Sequence, residues 1–175
     1  MAMKNFKRIA PNEIPGNIIQ MISTQWMLIS AKDKKSDKFN MMTASWGMMG
    51  NMWGKPVFMC VIRPHSYTYQ FAKNNDIATF TFFDEKYREA LQFCGSKSGR
   101  DFDKAKETGL TPLLDIGEAV YFDEAELVIV GKKLYADEFK EKNFITDENG
   151  WYPAKDFHTM FIYEIIDVLI KIKGE

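Results

Sequence analysis

Apolar residues fall in short blocks along this chain, and turn-forming residues separate the blocks. The blocks are rich in β-branched and aromatic side chains, and Gly, Pro, Asn or Asp marks most of their ends, which is typical of β-strands. We therefore expect six strands, at residues 18–30, 40–46, 57–63, 77–83, 125–135 and 157–173. In the last of these, alternation predicts one apolar face made of Ile162, Ile166, Val168, Ile170 and Ile172.

Three short helical patterns lie between the predicted strands. Pro64 suits the first turn of a helix over residues 66–73, because its missing N–H needs no partner there. Acidic residues open a second helix at residues 85–93, and Gly109 ends a third helix at residues 101–107. Because these helices do not alternate regularly with the strands, we predict a mainly antiparallel β-barrel with rim helices rather than a doubly wound parallel sheet.

Composition indicates a single domain over residues 1–175. Apolar residues make up 46% and charged residues 27%, which are ordinary values for a globular protein with a substantial core. The net charge of −1 gives no indication of binding to nucleic acid or an anionic membrane, because such binding usually requires an excess of positive charge. The sequence has no apolar run of membrane-spanning length and begins without the apolar region of a secretion signal, so we expect a cytoplasmic protein.

Several kinds of site are excluded by the residues present. Two cysteines and two histidines leave little material for a metal site or a disulfide framework. Cys60 lies in an apolar run and is expected to be buried, whereas Cys94 precedes Gly95 and is expected to be partly exposed. The phosphate-binding G-x-G-x-x-G and G-x-x-x-x-G-K-[ST] loops are absent, as is the G-x-S-x-G turn of hydrolases. A phosphate ligand therefore needs a different kind of binding site.

Residues 63–68 are a candidate phosphate-binding site of another kind. Arg63 ends a strand, and Ser66, Tyr67 and Thr68 follow at the expected start of a helix, where unpaired N–H groups attract anions. The planar guanidinium of arginine also suits phosphate oxygens. The same residues equally fit a plain helix cap by Ser66 and a surface ion pair by Arg63. The local motif does not choose between these two interpretations.

Residues 42–46 are a second candidate. Met42 and Trp46 flank the small residues Thr43, Ala44 and Ser45, whose backbone a planar ring can approach closely. An edge strand with a core tryptophan explains the same pattern, and the pattern alone favours that interpretation.

Two further groups of polar residues have an ordinary explanation as well. Ser98, Gly99 and Lys104 lie in a charged, glycine-flanked segment that is typical of a solvated turn. His158 shares strand parity with Met160, which points its side chain inward. A lone inward histidine is more often structural than functional.

Five segments together resemble the flavin reductase-like proteins, including flavoredoxin, which bind FMN in a split β-barrel. They are residues 40–47 (NMMTASWG), 55–56 (KP), 63–68 (RPHSYT), 98–104 (SGRDFDK) and 156–165 (DFHTMFIYEI). The matching blocks extend over residues 18–172. The resemblance implies an antiparallel Greek-key split barrel, non-covalently bound FMN, and a homodimer with flavin sites at or near the subunit interface.

The resemblance also implies roles for particular residues. Contacts with the flavin ring are implied for Met42, Thr43, Ala44, Ser45 and Trp46. Contacts with the phosphate and ribityl chain are implied for Arg63, Ser66, Tyr67, Thr68, Ser98, Gly99 and Lys104. Related reductases place a G-D-H motif beside the flavin and nicotinamide, where this chain has Asp156-Phe157-His158 without the glycine. His158 is therefore a candidate contact for the electron donor or substrate.

The function implied is that of an FMN-dependent oxidoreductase. NADH or NADPH passes a hydride to N5 of the flavin, which then reduces a second acceptor. A flavoredoxin-like electron carrier that is reduced by a protein partner is the alternative, and a split-barrel binding protein without flavin is a third hypothesis. The sequence does not choose between NADH and NADPH.

Overall fold

One curled antiparallel sheet dominates the computed structural model, which describes residues 5–172. The strands, including a small separate pair, are β1 (Phe6–Arg8), β2 (Met27–Lys32), β3 (Phe39–Ala44), β4 (Gly47–Met52), β5 (Lys55–Ile62), β6 (Ile77–Phe82), β7 (Pro112–Leu113), β8 (Tyr121–Phe122), β9 (Leu127–Glu138) and β10 (Thr159–Lys171). The α-helices are α1 (Ile18–Gln20), α2 (Tyr67–Asn74), α3 (Arg88–Ser96) and α4 (Lys104–Thr108). A π-helical turn follows α1 at Met21–Gln25, and 3₁₀ turns lie at Pro11–Glu13, Glu85–Tyr87, Glu141–Asn143 and Asn149–Trp151.

The sheet curls far enough to form a split barrel. Its strand order is β3-β2-β6-β9-β10-β5-β4 with antiparallel neighbours, and β1 pairs with β10. Phe58 of β5 stacks on Phe80 of β6 with ring centroids 4.1 Å apart, although β9 and β10 lie between these strands in the sheet. A flat sheet cannot bring these rings together. The predicted antiparallel barrel is therefore confirmed, with β3 and β4 as its two edges.

The barrel interior is filled by apolar side chains from the inner faces of the strands. Its buried members include Met27, Ile29, Phe58, Cys60, Ile62, Phe80, Ile129, Phe161, Tyr163 and Val168. Gly131 of β9 leaves room for the aromatic residues, because a Cβ atom there would lie 2.7 Å from the Cβ of Tyr163. The core thus depends on one position without a side chain.

A second layer covers part of the outer surface of the sheet. Leu91 and Cys94 of α3 and Ala105 of α4 belong to a buried cluster that also contains Leu28 of β2 and Val128 of β9. The Thr43 hydroxyl of β3 donates to the Leu91 carbonyl of α3. This layer fixes the segment between α3 and α4 beside the end of β3, where the candidate site forms.

Most predicted elements are confirmed with boundary shifts of a few residues. The strands expected at 40–46, 57–63, 77–83, 125–135 and 157–173 correspond to β3, β5, β6, β9 and β10, and Lys173 lies outside the described residues. The three expected helices correspond to α2, to the 3₁₀ turn with α3, and to α4. Gly109 ends α4 with a left-handed φ of 70°, as its position after the helix predicts.

The predicted strand over residues 18–30 is wrong in its first half. Residues 18–25 are helical, and β2 begins at Met27. The Asn17 side chain caps this helix by accepting a hydrogen bond of 3.1 Å from the Gln20 amide. Met21 and Ile22 are buried while Ile19 is 78% exposed, which is helical spacing rather than strand alternation.

The predicted continuous apolar face of the last strand is also wrong. Phe161, Tyr163 and Ile165 belong to the barrel core, and a register shift between Ile165 and Asp167 lets Val168 continue that face. Ile166 is 48% exposed as a result. A β-bulge places one extra residue on one strand, so it reverses the parity of everything that follows.

The edge strand β4 was not among the predicted strands. Its sequence is rich in glycine and methionine, which are weak strand formers. The β4–β5 hairpin turns at Trp53 and Gly54, which have φ values of 56° and 70°. Two successive positive φ values are typical of the type I′ turn that two-residue hairpins favour.

The thiols are buried, and no metal centre is described. Cys60 is buried as expected, and its burial raises the pKa of the thiol. The expectation of a partly exposed Cys94 is wrong, because α3 packs this side chain into the outer layer and burial raises its pKa to about 11. Within residues 5–172, no group of three or more His, Cys, Asp or Glu side chains is arranged to hold a metal ion. No helix in the same range combines the length and apolar character that crossing a bilayer requires.

Candidate functional site

Two adjoining clefts lie at the end of the barrel where β3, β5, α2 and α3 come together. The first, here called the basic cleft, has a volume of about 360 Å³ and is lined by positively charged residues including Arg63, Arg100 and Lys104. The second, here called the aromatic cleft, has a volume of about 290 Å³ and is lined by Trp46 and Trp151. The two clefts share three lining residues, Met42, Arg63 and His158. One elongated ligand can therefore occupy both.

The start of α2 opens into the basic cleft. Tyr67 and Thr68 are the first two residues of the helix, where helical geometry leaves the backbone N–H groups without intrahelical partners. Ser66 stands at the N-cap position, but its side chain does not cap the helix and instead donates to the Met42 sulfur at 3.3 Å. These N–H groups and the positive end of the helix dipole are available to an anion in the cleft.

Arg63 is held by residues 151–156 rather than left free. Its Nη1 lies 2.6 Å from Asp156 Oδ2, and its Nη2 donates to the Trp151 carbonyl at 2.8 Å. The guanidinium also lies over the Tyr152 ring, 5.2 Å from its centroid. The Arg63 charge holds the pKa of Asp156 below its usual range. Arg63 therefore lines the site as expected, but a carboxylate already neutralises its charge.

Arg100 was not predicted as a site residue, yet it lines the basic cleft. Its guanidinium lies over the Tyr67 ring at 4.8 Å from the centroid, and its Nη1 donates weakly to the His65 carbonyl at 3.5 Å. Arg100 is exposed and has no carboxylate partner among the contacts described for residues 5–172. The signal in the sequence was a cation in the S-G-R turn, whose position against α2 only the fold reveals.

Lys104 is buried, and its ammonium group ties β3 to α3. The Nζ atom donates to the Met41 carbonyl at 2.9 Å and to the Cys94 carbonyl at 2.7 Å. Burial lowers the pKa of this lysine. Because an ammonium has three N–H donors, one remains for a ligand in the basic cleft, which Lys104 lines.

The predicted residues Thr68, Ser98 and Gly99 have different environments. The Thr68 hydroxyl is buried and accepts a hydrogen bond of 2.8 Å from Asn40 Nδ2, which links α2 to β3. The Ser98 hydroxyl accepts from the Arg100 amide at 3.2 Å and shapes the turn. A Cβ atom on Gly99 would lie 2.0 Å from Asn40 Oδ1, so the turn approaches β3 more closely than any other residue type allows.

The end of β3 forms the wall of the aromatic cleft. Thr43, Ala44 and Ser45 line it, and their small side chains leave the backbone accessible to a planar group. Trp46 packs edge-on against Trp151, with ring centroids 5.1 Å apart and an interplanar angle of 84°. Residues expected to contact a ring therefore do lie together around one cleft.

His158 is buried at the junction of the clefts, immediately before β10. It is 8% exposed, and its ring lies 5.1 Å from that of Trp46. Its Nδ1 lies 2.8 Å from the Tyr152 hydroxyl oxygen. Burial, followed by the Arg63 charge, lowers the pKa of His158 to about 4, so the imidazole is neutral at pH 7. The side chain is inward, as expected, but it faces the clefts rather than the barrel core.

The residues present fit an elongated ligand with a planar ring at one end and a phosphate at the other. The basic cleft supplies open helix amides, hydroxyl groups and the Arg100 charge. The aromatic cleft supplies a wall of small residues beside two tryptophans. The sequence model for the flavin reductase-like domain matches residues 19–174. This chain belongs to the flavin reductase-like family.

Solved structures agree with the family assignment at the level of the fold. An FMN-binding domain of a flavin reductases-like enzyme from Shewanella baltica OS155 has a TM-score of 0.69 and 15% identity, covering 95% of this chain and 78% of that one. Flavoredoxin of Desulfovibrio vulgaris (Miyazaki F) has a TM-score of 0.66 and 23% identity, covering 85% and 70%. A structure from Shewanella frigidimarina NCIMB 400 described as having a split barrel domain has a TM-score of 0.67 and 18% identity, covering 92% and 77%. No curated protein sequence matches significantly.

In this flavin reductase-like chain, the predicted site residues other than Gly99, which lines the basic cleft without a side chain, divide into two groups. Those that line the clefts with accessible groups are Met42, Ala44, Ser45, Trp46, Ser66, Tyr67, Ser98 and His158. Those that line them but are already engaged by other protein groups are Thr43, Arg63, Thr68 and Lys104. Their roles toward a ligand stay predictions.

Proposed function

We propose that this flavin reductase-like protein binds FMN non-covalently across the two clefts and acts as an oxidoreductase. The observation that carries the proposal is the continuity of the clefts at Met42, which joins a basic, amide-lined end to a wall of small residues. Family membership supports the same conclusion. FMN has a phosphate and a planar ring separated by a flexible chain, which matches this arrangement.

The phosphate end of FMN belongs in the basic cleft. The amides of Tyr67 and Thr68 and the Ser98 hydroxyl are its hydrogen-bond donors in this proposal. The Ser66 hydroxyl joins them by giving up its contact with the Met42 sulfur. Arg100 is its principal charge partner, because Arg63 is paired with Asp156. Backbone groups of residues 43–45 hold the edge of the ring, and hydrogen bonds to such an edge tune the redox potential of a flavin.

The bound FMN supplies reversible hydride and electron transfer. We propose NADH or NADPH as the hydride donor and a second small molecule as the final acceptor, with a location in the cytoplasm. Trp46, Trp151 and His158 line the aromatic cleft, so in this proposal they contact a donor that enters it.

A flavoredoxin-like electron carrier is the second candidate. The exposed tryptophans at the cleft mouth suit a protein partner, and the structural likeness to a flavoredoxin is consistent with it. The glycine of the G-D-H motif is also missing before His158. In this candidate function the same FMN site accepts electrons from a protein instead of NADH or NADPH.

The visible spectrum of the purified protein, before and after anaerobic addition of NADH or NADPH, tests the proposal. We expect flavin bands after reconstitution with FMN and prompt bleaching by one of the two donors. Persistent bands that a ferredoxin-like donor bleaches would support the carrier. A colourless protein that does not take up FMN contradicts both functions.

Arg100→Ala provides the matching site variant. Loss of a charge-assisted hydrogen bond of about 1.5–3 kcal/mol predicts roughly 10- to 100-fold weaker FMN binding, measured by quenching of flavin fluorescence. Lys106→Ala is the control, because Lys106 is an exposed cation on α4 that lines neither cleft. Equal affinities for both variants would remove Arg100 from the phosphate site.

We also propose that the protein is a homodimer. The edge strand β4 and its hairpin turn carry large exposed apolar side chains, with Met48 and Trp53 each 62% exposed. Such side chains on an unpaired strand edge favour contact with another protein surface. Sedimentation velocity decides between one copy and two.

A further inference from the structure

Tyr152 and His158 form a buried pair at the junction of the two clefts. Tyr152 Oη lies 2.8 Å from His158 Nδ1, and both residues are buried. The Tyr152 ring packs against Phe144 and Phe157 with centroid separations of 5.9 and 4.9 Å, so this tyrosine has little freedom to move. The geometry therefore constrains His158 from one side while its ring borders the clefts.

Both members of this pair are neutral at pH 7, and burial is the main cause. Arg63 lies over the Tyr152 ring, Asp156 binds Arg63, and His65 Nδ1 lies 3.2 Å from the same carboxylate. Burial raises the pKa of Tyr152 and lowers that of His158, while Asp156 acts in the opposite direction on His158. Arg63 and Asp156 act in opposite directions on both groups, and burial is the largest influence on each.

A neutral imidazole carries its proton on one nitrogen and accepts a hydrogen bond at the other. The tyrosine hydroxyl is both donor and acceptor, so the contact alone allows two arrangements. A phenol is much more acidic than a neutral imidazole N–H, which makes the hydroxyl the better donor and the imidazole nitrogen the better acceptor. This chemistry favours a proton on Nε2.

We propose that Tyr152 is a positioning residue that donates to Nδ1 of His158 and fixes the imidazole as the neutral Nε2–H tautomer. His158 then presents a permanent, uncharged hydrogen-bond donor at the junction of the clefts. The consequence for turnover rests on the proposed function, whereas the tautomer itself does not. A neutral donor, with the nearby arginine already neutralised, suits a carbonyl-type oxygen on a bound ring better than a carboxylate.

The tautomer is measurable directly because the chain has two histidines. In protein labelled with ¹⁵N-histidine, we expect His158 Nδ1 to give an unprotonated nitrogen signal and Nε2 a protonated one, unchanged from pH 8 to pH 6. His65→Gln assigns the two sets of signals. A protonated Nδ1 in the wild-type protein overturns the proposal without any variant.

Tyr152→Phe removes the hydroxyl and keeps the ring packing. We expect the two His158 nitrogen signals to move towards each other as the tautomers mix, with near-ultraviolet circular dichroism unchanged. Tyr87→Phe is the matched control, because Tyr87 packs on Phe83 and lines neither cleft. An unaltered tautomer in Tyr152→Phe overturns the positioning role.

The FMN-loaded protein tests the functional consequence. We expect Tyr152→Phe to lower kcat/KM for the electron donor by about twofold or more while FMN affinity stays within about twofold of the Tyr87→Phe control, since only part of the imidazole population then has its proton on Nε2. Unchanged kcat/KM despite a mixed tautomer overturns the link to turnover. If the wild-type protein binds no FMN, the proposed function fails, and the nitrogen signals still decide the tautomer.

Discussion

Single residues at the site can contact a ligand and can also bind other groups of the protein. The sequence motifs indicate the first role but not the second. Arg63 resembles a phosphate ligand in its motif, but its partner Asp156 lies 93 positions away and is brought to it by the fold. Lys104 similarly donates two hydrogen bonds to backbone carbonyls. The residue types at the site were therefore predictable from the motifs, whereas their hydrogen-bond partners were not.

Gly99 gives the sharpest prediction at this scale. A Cβ atom there would lie 2.0 Å from Asn40 Oδ1 and 3.1 Å from Tyr67 Cδ1. Gly99→Ala must therefore displace the turn or break the buried bond from Asn40 to Thr68, and we expect a loss of about 1–3 kcal/mol of stability. We also expect FMN affinity to fall at least tenfold, because the displaced turn carries Ser98 and Arg100.

Urea unfolding of Gly99→Ala measures the change in stability, and FMN titration measures the change in affinity. Gly50→Ala is the matched control, because a Cβ atom at Gly50 has no heavy atom within 4 Å. Comparable behaviour of the two variants would mean that the turn is not tightly packed on β3.

At the scale of elements, local signals worked where the chain obeys one periodicity and failed where the periodicity changes. β5 and β6 are rich in apolar and β-branched residues and are bounded by Pro, Asn or Asp, so they were predictable. Residues 18–30 combine a helix capped by Asn17 with a strand, and the junction has no Gly or Pro to mark it. The bulge at Ile165 depends on pairing with β9, which the sequence of β10 alone does not reveal.

The edge strand β4 carries the prediction that belongs to this scale. Met48→Glu places a charge on the exposed face of β4, so a dimer that uses this edge is expected to weaken at least tenfold in dissociation constant. Sedimentation velocity over a range of concentrations measures the change. Ile145→Glu is the control, because Ile145 is an exposed apolar residue outside the sheet. A monomeric wild-type protein, or equal dimerisation of both variants, contradicts an interface at β4.

At the scale of the whole molecule, the buried neutral His158 links the candidate site to the stability of the fold. Its pKa is about 4 in the folded protein and about 6.5 in an unfolded chain, so the unfolded state binds more protons between these two values. The contribution of His158 to the free energy of unfolding is therefore fully present well above pH 6.5 and is lost as the pH decreases towards 4, by about 3 kcal/mol. The aspartates with lowered pKa values, such as Asp76 and Asp156, lose their ion pairs at lower pH still.

Because the aspartates titrate at lower pH, a single substitution of His158 can separate its contribution to the pH dependence of stability from theirs. His158→Gln keeps a hydrogen-bonding side chain beside Tyr152 but does not titrate, so its free energy of unfolding is expected to vary much less between pH 6.5 and 4.5. His65→Gln is the comparison variant, because His65 is exposed and contacts Asp156, so it shows how much of the slope depends on that contact rather than on the burial of His158. Urea unfolding at several pH values supplies both slopes. A wild-type slope that survives in His158→Gln would show that His158 is not buried as a neutral group, and the site at the cleft junction would then have to tolerate a charged imidazole.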